Sequence, residues 1–484
     1  MGAGWTGKRV TVMGLGGFGG GVGVTRWLAR HGARVTVTDQ AGPEKLAGSL
    51  AEIAGLDIKL HLGGHDERDF RDTDLVVVNP AVPESSPFLH VARDAGVPLT
   101  TEINLFVERC PARTVGVTGS VGKSTVTAMI GQVLEEGTKG PMDVGIVGSG
   151  GQRPKGAGGR VWVGGNIGRS LLDGLGQITA DDIVVLELSS FQLERTPLVR
   201  WSPHVAVVTN VTPNHLDWHG SFAAYLAAKL NIVRFQQPGR DVIVIQDTSD
   251  LRRSFDELFG DLAGIWRYGL DGDTPVAVMQ SAAAVDCDDC RLRWPDLRLE
   301  VPGRHNRENA AAALTVAHAI GMSAEVTLAA LAQFAALPHR LQKVAEAAGV
   351  SWYDDSKSTT PEAALTAMRA LAPGARGDGP RKLLVILGGY DKGSDLRPVA
   401  EEAARRAKFA ACIGRTGAGL AEATKTAGGA AGFCGNLTAA VAECRRRAAP
   451  GDVILLSPAC ASWDQFVDYR QRGQRFAELA RGGS

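Results

Sequence analysis

Thr118-Gly119-Ser120-Val121-Gly122-Lys123-Ser124-Thr125 follows the apolar run Thr114–Val117 and precedes a stretch with helical spacing. Holding a polyphosphate requires inward-facing backbone N–H groups, a cation and a hydroxyl for Mg²⁺. Gly119 and Gly122 let the backbone approach, Lys123 supplies the charge, and Ser124 supplies the hydroxyl. A strict P-loop would carry glycine at position 117, where this chain has Val117, so the match is to a shorter form, T-G-S-x-G-K-S-T. The strand–loop–helix setting makes Gly119, Ser120, Gly122, Lys123, Ser124 and Thr125 the expected ATP-binding residues. The competing reading is a glycine turn with a chance lysine.

On both sides of this loop, apolar runs alternate with helix-like segments. Val10–Met13, Val35–Thr38, Leu75–Val78, Thr114–Thr118, Ile183–Leu186, Val205–Thr209, Val242–Ile245, Leu383–Leu387 and Val453–Leu456 read as buried strands. Ala310–Ile320 and Pro361–Leu371 read as helices. Such alternation predicts α/β architecture, with parallel sheets covered by helices. The 484 residues suit two to four domains. Three are expected: 1–111, 112–335 and 336–484. The Gly/Pro/Lys-rich stretch 137–159 reads as a mobile insertion in the second.

The first block opens with its own glycine loop, Gly14-Leu15-Gly16-Gly17-Phe18-Gly19, and Asp39 lies 20 residues beyond Gly19. This is the spacing of a dinucleotide fingerprint, in which an acid meets a ribose hydroxyl. It points to a diphosphate-containing ligand at Gly14, Gly16, Gly19 and Asp39, or to nothing more than a tight strand–helix turn. A dehydrogenase using NAD at this loop is one alternative, but it leaves the Lys123 loop unexplained.

Composition narrows the class. The formal net charge is zero, which argues against a nucleic-acid partner. No apolar run approaches the roughly 18 residues of a membrane helix. Lys8 and Arg9 before an apolar stretch imitate a leader, but the glycines from Gly14 to Gly21 interrupt it. The seven cysteines show no disulfide framework, so a reducing, cytoplasmic setting is expected. Cys287 and Cys290 form one C-x-x-C with no second pair, which reads as a surface turn rather than a zinc site.

Further candidates lie at strand ends, where a parallel sheet presents side chains to a ligand crevice. Glu187 ends one strand and could hold Mg²⁺ opposite Ser124, or be an ordinary solvated carboxylate. His215 lies in Asn210-Val211-Thr212-Pro213-Asn214-His215, where it could ligate a metal or be structural. Lys229, with no acidic residue within four positions, has a snorkelling lysine as its bland reading. In the third block, Lys357 and Lys392 could hold the carboxylates of an amino acid, or be loop lysines.

Taken in order, these stretches resemble the Mur ligase family across essentially the whole chain. They run T-G-S-x-G-K-S-T, G-G-N-I-G, E-L-S-S-F-Q-L-E, N-V-T-x-x-H, A-A-K-L, H-N-x-x-N, L-P-H-R, D-S-K-S-T, L-G-G-x-x-K and L-S-P-A-C-A-S. The last, continued as W-D-Q-F, resembles the member that adds D-glutamate. The D-N-P-R signature of the diamino-acid-adding member is absent. Another amide ligase of the family, with a different amino acid or nucleotide-sugar peptide, is the alternative within it. A non-catalytic nucleotide-binding protein would make Lys123, Glu187, His215 and Lys229 a coincidence.

The resemblance implies a Rossmann-like N-terminal domain, a P-loop-type central ATPase domain on a parallel sheet, and a Rossmann-like C-terminal domain. It implies ATP-dependent ligation of D-glutamate to UDP-N-acetylmuramoyl-L-alanine through an acyl phosphate, by a cytoplasmic monomer without nucleic-acid or membrane partners. ATP and two Mg²⁺ ions are the implied cofactors. Lys123, His215 and Lys229 are the implied catalytic groups. Ser124, Glu187, His215 and a carbamylated Lys229 are the implied metal ligands. Asn306, Asn309, Arg340 and Asp355 match contacts to the nucleotide, and Asn166 matches a contact to the UDP-sugar. Lys357, Thr359, Lys392, Ser462 and Tyr469 match the D-glutamate pocket, where relatives commonly carry Phe at the last position. The chain departs from the family pattern at Val121, usually Asn, and at Asn79-Pro80-Ala81, usually S-P-G.

Overall fold

The computed structural model describes residues 4–17, 19–138, 159–168, 170–259, 265–280, 291–372, 382–390 and 393–482. Cys287, Cys290, Lys392 and nearly all of the stretch 137–159 lie outside them.

The first sheet contains β1 (Arg9–Met13), β2 (Arg34–Asp39), β3 (Ile58–Leu62), β4 (Leu75–Val78) and β5 (Leu99–Thr100). The order is β3-β2-β1-β4-β5, and every pair is parallel. Successive strands are added on one side of β1 up to β3 and on its other side from β4, so the end of β1 and its glycine loop sit at a topological switch point. The helix Gly20–Arg30 follows that loop directly.

The second sheet contains β6 (Arg113–Thr118), β7 (Val161–Gly165), β8 (Ile183–Glu187), β9 (Val205–Val208), β10 (Val242–Gln246), β11 (Ile265–Asp271), β12 (Thr274–Gln280) and β13 (Arg291–Arg293). Its order is β13-β12-β11-β10-β9-β6-β8-β7. The strands from β7 to β11 are parallel, and β8 and β9 are buried throughout, which explains their unbroken apolar sequences. The expected parallel sheet also carries two antiparallel strands, β12 and β13. β13 has only three residues, and β12 buries Ala277 while leaving Val278 exposed, so neither shows the unbroken apolar run of strands buried on both faces.

The third sheet contains β14 (Gln342–Ala347), β15 (Val350–Asp354), β16 (Leu383–Gly388), β17 (Ala407–Ile413), β18 (Ala431–Gly435) and β19 (Val453–Leu456), in the order β14-β15-β19-β16-β17-β18. Only the β14–β15 hairpin is antiparallel. It turns on Ala348 (φ 52°) and Gly349 (φ 74°), both in the left-handed region that a two-residue hairpin turn demands. Leu383, Val385 and Leu387 face one core, and Leu384 and Ile386 face the other.

By compactness the chain divides into two units. One is Met1–Asp296 with Asn309–Ala330, and it holds the first and second sheets. The other is Leu297–Glu308 with Leu331–Ser484, and it holds the third. Among the described residues no helix is long and apolar enough to cross a membrane.

Candidate active site

The loop Gly119–Gly122 joins the end of β6 to the helix Lys123–Thr138. The first N–H groups of a helix have no carbonyl within the helix to meet, so they favour an anion. Gly119 has φ 145°, and a Cβ there would lie 1.8 Å from Thr209 Oγ1. Gly122 has φ 89°, and a Cβ there would lie 2.7 Å from Asn309 Oδ1. Both positions therefore require glycine. The loop rests on the chain after β9. Ser120 N–H donates to the Asn210 carbonyl (2.7 Å), Val121 N–H to Asn210 Oδ1 (3.0 Å), and Thr209 Oγ1 to the Val121 carbonyl (2.8 Å). This gives the N-V-T stretch a structural task that spacing does not reveal.

Two amines converge on one carbonyl of the loop. Lys123 Nζ donates to Gly119 O (2.9 Å) and Ser120 O (3.1 Å), and Lys229 Nζ donates to Gly119 O (2.8 Å). Lys229 is 1% exposed, so it does not snorkel. Burial, reinforced by the charge of Lys123 and opposed by Glu187, pushes its amine down to about 6. The Nζ lies 4.6 Å from the ring centre of Tyr225, one helical turn earlier, whose hydroxyl is 2.9 Å from Ser120 Oγ. His215 has φ 52° and packs against Phe191 at 5.0 Å. Burial first, then the charges of Lys123 and Lys229, lowers its pKa and favours the neutral imidazole.

Glu187 ends β8 and is 2% exposed. Gly165 has φ 93°, and a Cβ there would lie 2.2 Å from Glu187 O, so only glycine lets β7 end so close to β8. That approach puts Asn166 N–H on Glu187 O (2.8 Å) and Asn166 Nδ2 on Glu187 Oε1 (2.9 Å). Glu187 Oε2 is buried without a hydrogen-bond partner. An orphaned carboxylate oxygen in the interior is costly unless something meets it, and a hard cation suits it. The donor set of Glu187, the Ser124 hydroxyl and a neutral imidazole fits Mg²⁺. Among the described residues no group of three or more His, Cys, Asp or Glu could hold a metal by itself. Phosphate oxygens would have to complete the shell.

At the first sheet, Gly14, Gly16 and Gly19 all have positive φ. Asp39 does tie to this loop, but through backbone: its Oδ2 accepts from Gly16 N–H (3.2 Å) and its Oδ1 from Ala41 N–H (2.8 Å). Asn79, one of the departures from the family pattern, lies against the same glycines. Its Nδ2 donates to Gly14 O (3.2 Å), and a Cβ on Gly14 would lie 2.8 Å from Asn79 Cβ. In a dinucleotide fingerprint, the pyrophosphate approaches these glycines. A carboxamide beside Gly14 and Gly16, and an acid whose two oxygens are both engaged, disfavour the NAD reading.

The second unit gathers another set. Asp355 is enclosed, and burial pushes its carboxyl up to about 7 against the bond from Ser457 Oγ (2.8 Å), the Leu341 N–H and the charge of Arg340. The Lys357 ammonium lies 5.5 Å from the ring centre of Tyr469. Ser462 is buried, and Thr359 follows Lys357 in the same loop. Asn306 donates from Nδ2 to the Pro302 carbonyl (2.7 Å). One residue here escaped sequence reasoning. Arg472 is 1% exposed and ties two motif loops together, with Nε on Ser356 Oγ (3.0 Å), Nη2 on Ser356 O (2.9 Å), and Nη1 and Nη2 on Cys460 O (3.2 and 3.1 Å). The adjacent Gly473 is the available signal, because a Cβ there would lie 2.2 Å from His339 Nδ1.

Three family models cover the chain: "Mur ligase MurD-like, N-terminal domain" over residues 8–101, "Mur ligase middle domain" over 117–317 and "Mur ligase, glutamate ligase domain" over 339–460. Among solved structures, UDP-N-acetylmuramate-alanine ligase from Thermotoga maritima matches with a TM-score of 0.57 at 20% identity, covering 99% of this chain and 100% of that one. MurF ligase from the same organism, in complex with ADP, matches with a TM-score of 0.55 at 17% identity, covering 99% and 95%. These two likenesses are of fold. The UDP-N-acetylmuramoylalanine–D-glutamate ligase of Roseiflexus sp. (strain RS-1) is 36% identical over 98% of each chain. The enzyme of the same name from Symbiobacterium thermophilum is 35% identical over 98% of this chain and 97% of its own. With identity at that level sustained from end to end, the chain belongs to the Mur ligase family, on its D-glutamate ligase branch.

Proposed function

We propose that the chain joins D-glutamate to UDP-N-acetylmuramoyl-L-alanine at the expense of ATP, as a step of peptidoglycan precursor synthesis in the cytoplasm. The observation that carries this reading is the full-length match to ligases of that name. A carboxylate is a poor electrophile. Transfer of the terminal phosphoryl of ATP to it gives an acyl phosphate and ADP. The amine of D-glutamate then attacks the carbonyl, the amide C–N bond forms, and phosphate leaves.

The chain's own groups suit these steps. Lys123 and the N-terminus of its helix bind and orient the phosphates, in a setting where charge is worth more than in water. Gly119, Ser120, Gly122, Ser124, Thr125 and Asn309 frame them, with Asn306, Arg340 and Asp355 assigned to the same nucleotide. Glu187, Ser124 and His215 would hold Mg²⁺, whose contribution is neutralisation of phosphate charge. Lys229 is the residue proposed for carbamylation. CO₂ adds to a neutral amine with loss of a proton, and burial keeps this amine neutral at physiological pH. Gly14, Gly16, Gly19, Asp39 and Asn166 are assigned to the nucleotide-sugar. Lys357, Thr359, Lys392, Ser462 and Tyr469 are assigned to D-glutamate. The working domain limits are 1–111, 112–335 and 336–484, and the enzyme is taken as a monomer.

Phosphate release from Mg²⁺-ATP tests the reading. Release that requires both UDP-N-acetylmuramoyl-L-alanine and D-glutamate is expected. Release with a different amino acid would keep the ligase chemistry and overturn the pocket assignment in the second unit. No release with any pair, bicarbonate included, would overturn the function.

A further inference from the structure

A cavity of about 570 Å³ lies between the helix Gly20–Arg30 and the short helix Leu171–Gln177, within the first unit. Its lining combines Trp5, Trp27 and His31 with Leu172 and Leu175, and with Arg30 and Arg109. None of these residues belongs to the site described above.

The rings form a connected wall. Trp5 meets Trp27 edge to face at 5.4 Å, and Trp27 lies 4.4 Å from His31 at a tilt of 34°. Nδ1 of His31 is fixed by the Trp27 carbonyl at 2.7 Å. Cations lie over the same rings: Arg109 is 5.2 Å from the centre of Trp5 and 5.8 Å from that of Trp27, and Lys8 is 5.5 Å from Trp5. Nη1 of Arg109 is anchored on the Leu105 carbonyl at 2.9 Å. The lining has one carboxylate, Asp173, and it is already held by Arg26 at 2.6 Å. Arg30 reaches it only at 3.6 Å. The other acid near Arg109 is Glu108, an exposed neighbour at 3.3 Å, which screens little.

Small-molecule pockets of roughly 300–1,000 Å³ are mostly apolar and aromatic, with a few convergent polar groups that fix orientation. This cavity has that size and make-up, and apart from Asp173, which Arg26 holds, its charged groups are cationic. Flat rings prefer offset or edge-on aromatic partners, and an anion beside them would meet Arg109 and Arg30. We propose that this cavity is a second binding site, separate from the catalytic residues, for a small planar aromatic molecule bearing a carboxylate. The pocket reads shape through Trp5 and Trp27 and charge through Arg109.

The test uses 2-naphthoate, with 2-naphthamide as its uncharged counterpart, titrated calorimetrically into the full chain. One site with a dissociation constant of about 0.1 mM is expected for the carboxylate, given the efficiency usual for ligands of this size. The amide should bind about fivefold more weakly. Arg109→Gln should weaken the carboxylate about fivefold and leave the amide unchanged. Trp5→Leu, checked for native thermal unfolding, should weaken both. Saturating Mg²⁺-ADP or UDP-N-acetylmuramoyl-L-alanine should not displace the probe. Absence of one-site binding below about 1 mM, displacement by either substrate, or equal affinity in both variants would each overturn the proposal. Carboxylate and amide binding alike to wild type would overturn its charge assignment.

Discussion

Arg472→Met removes a buried cation whose four hydrogen bonds all go to neutral groups. Burial has already lowered the guanidinium to about 10, so losing the charge itself recovers some solvation. The loss falls on the acceptors. Ser356 Oγ keeps a partner, because it donates to the Tyr469 carbonyl at 2.8 Å. The Ser356 and Cys460 carbonyls lose Arg472 as a donor, and an unsatisfied buried acceptor costs about 1–3 kcal/mol. Two such groups, offset by the relieved desolvation and the methionine's packing, give a net cost of about 3 kcal/mol. For a cooperative unit of 150–250 residues that is a fall of about 6–12 °C in melting temperature. The released loops carry Lys357, Thr359 and Ser462, so the KM for D-glutamate should rise about tenfold or more while that for ATP changes little. Differential scanning calorimetry and substrate titrations read both. A melting shift under 1 °C with an unchanged KM for D-glutamate would refute the argument that Arg472 sets the loop geometry.

Three further outcomes follow from particular contacts. Gly122→Ala combines φ 89° with a Cβ 2.7 Å from Asn309 Oδ1, so the KM for ATP should rise about tenfold with little effect on D-glutamate, measured by initial rates. Lys229→Ala should lose at least about a thousandfold in kcat while keeping its circular dichroism, and acetate should restore part of the rate; full activity without acetate would sink the role assigned to this lysine. Glu102 is partly buried and accepts from Ser170 Oγ, and desolvation pushes its carboxyl up to about 7. The native state therefore holds this proton more tightly than the unfolded chain, and the stability it confers below about pH 4.5 is lost as pH rises to 7. Glu102→Gln does not titrate, so relative to wild type it should gain about 1–2 kcal/mol between pH 5 and 7.5 in urea unfolding.

The parallel strands were legible because strands buried on both faces are unbroken apolar runs, as in Ile183–Leu186 and Leu383–Leu387. The Lys123 loop was legible because its backbone angles admit only glycine at the two positions that carry it. Lys229 was half-legible: the want of nearby acids was visible, but its burial depends on the loop 110 residues away. Asn79 and Arg472 were opaque for the same reason. One meets Gly14 across 65 residues, and the other meets Ser356 across 116. Within Y-R-Q-R-G-Q-R, a buried arginine looks like its exposed neighbours until the facing loops are known. The antiparallel strands β12 and β13 carry no unbroken apolar run, because β12 buries Ala277 but exposes Val278 and β13 has only three residues.

The carbonyl of Gly119 is a shared resource, with the amines of Lys123 and Lys229 both resting on it. Two cations cannot occupy that spot cheaply, so their protonation is mutually exclusive in degree. An incoming anion that draws Lys123 outward lifts the repulsion on its neighbour. Thermodynamic reciprocity then requires that whatever alters the charge of Lys229 alters the affinity for that anion by an equal factor. A single peptide oxygen thus couples nucleotide occupancy to the ionisation of Lys229.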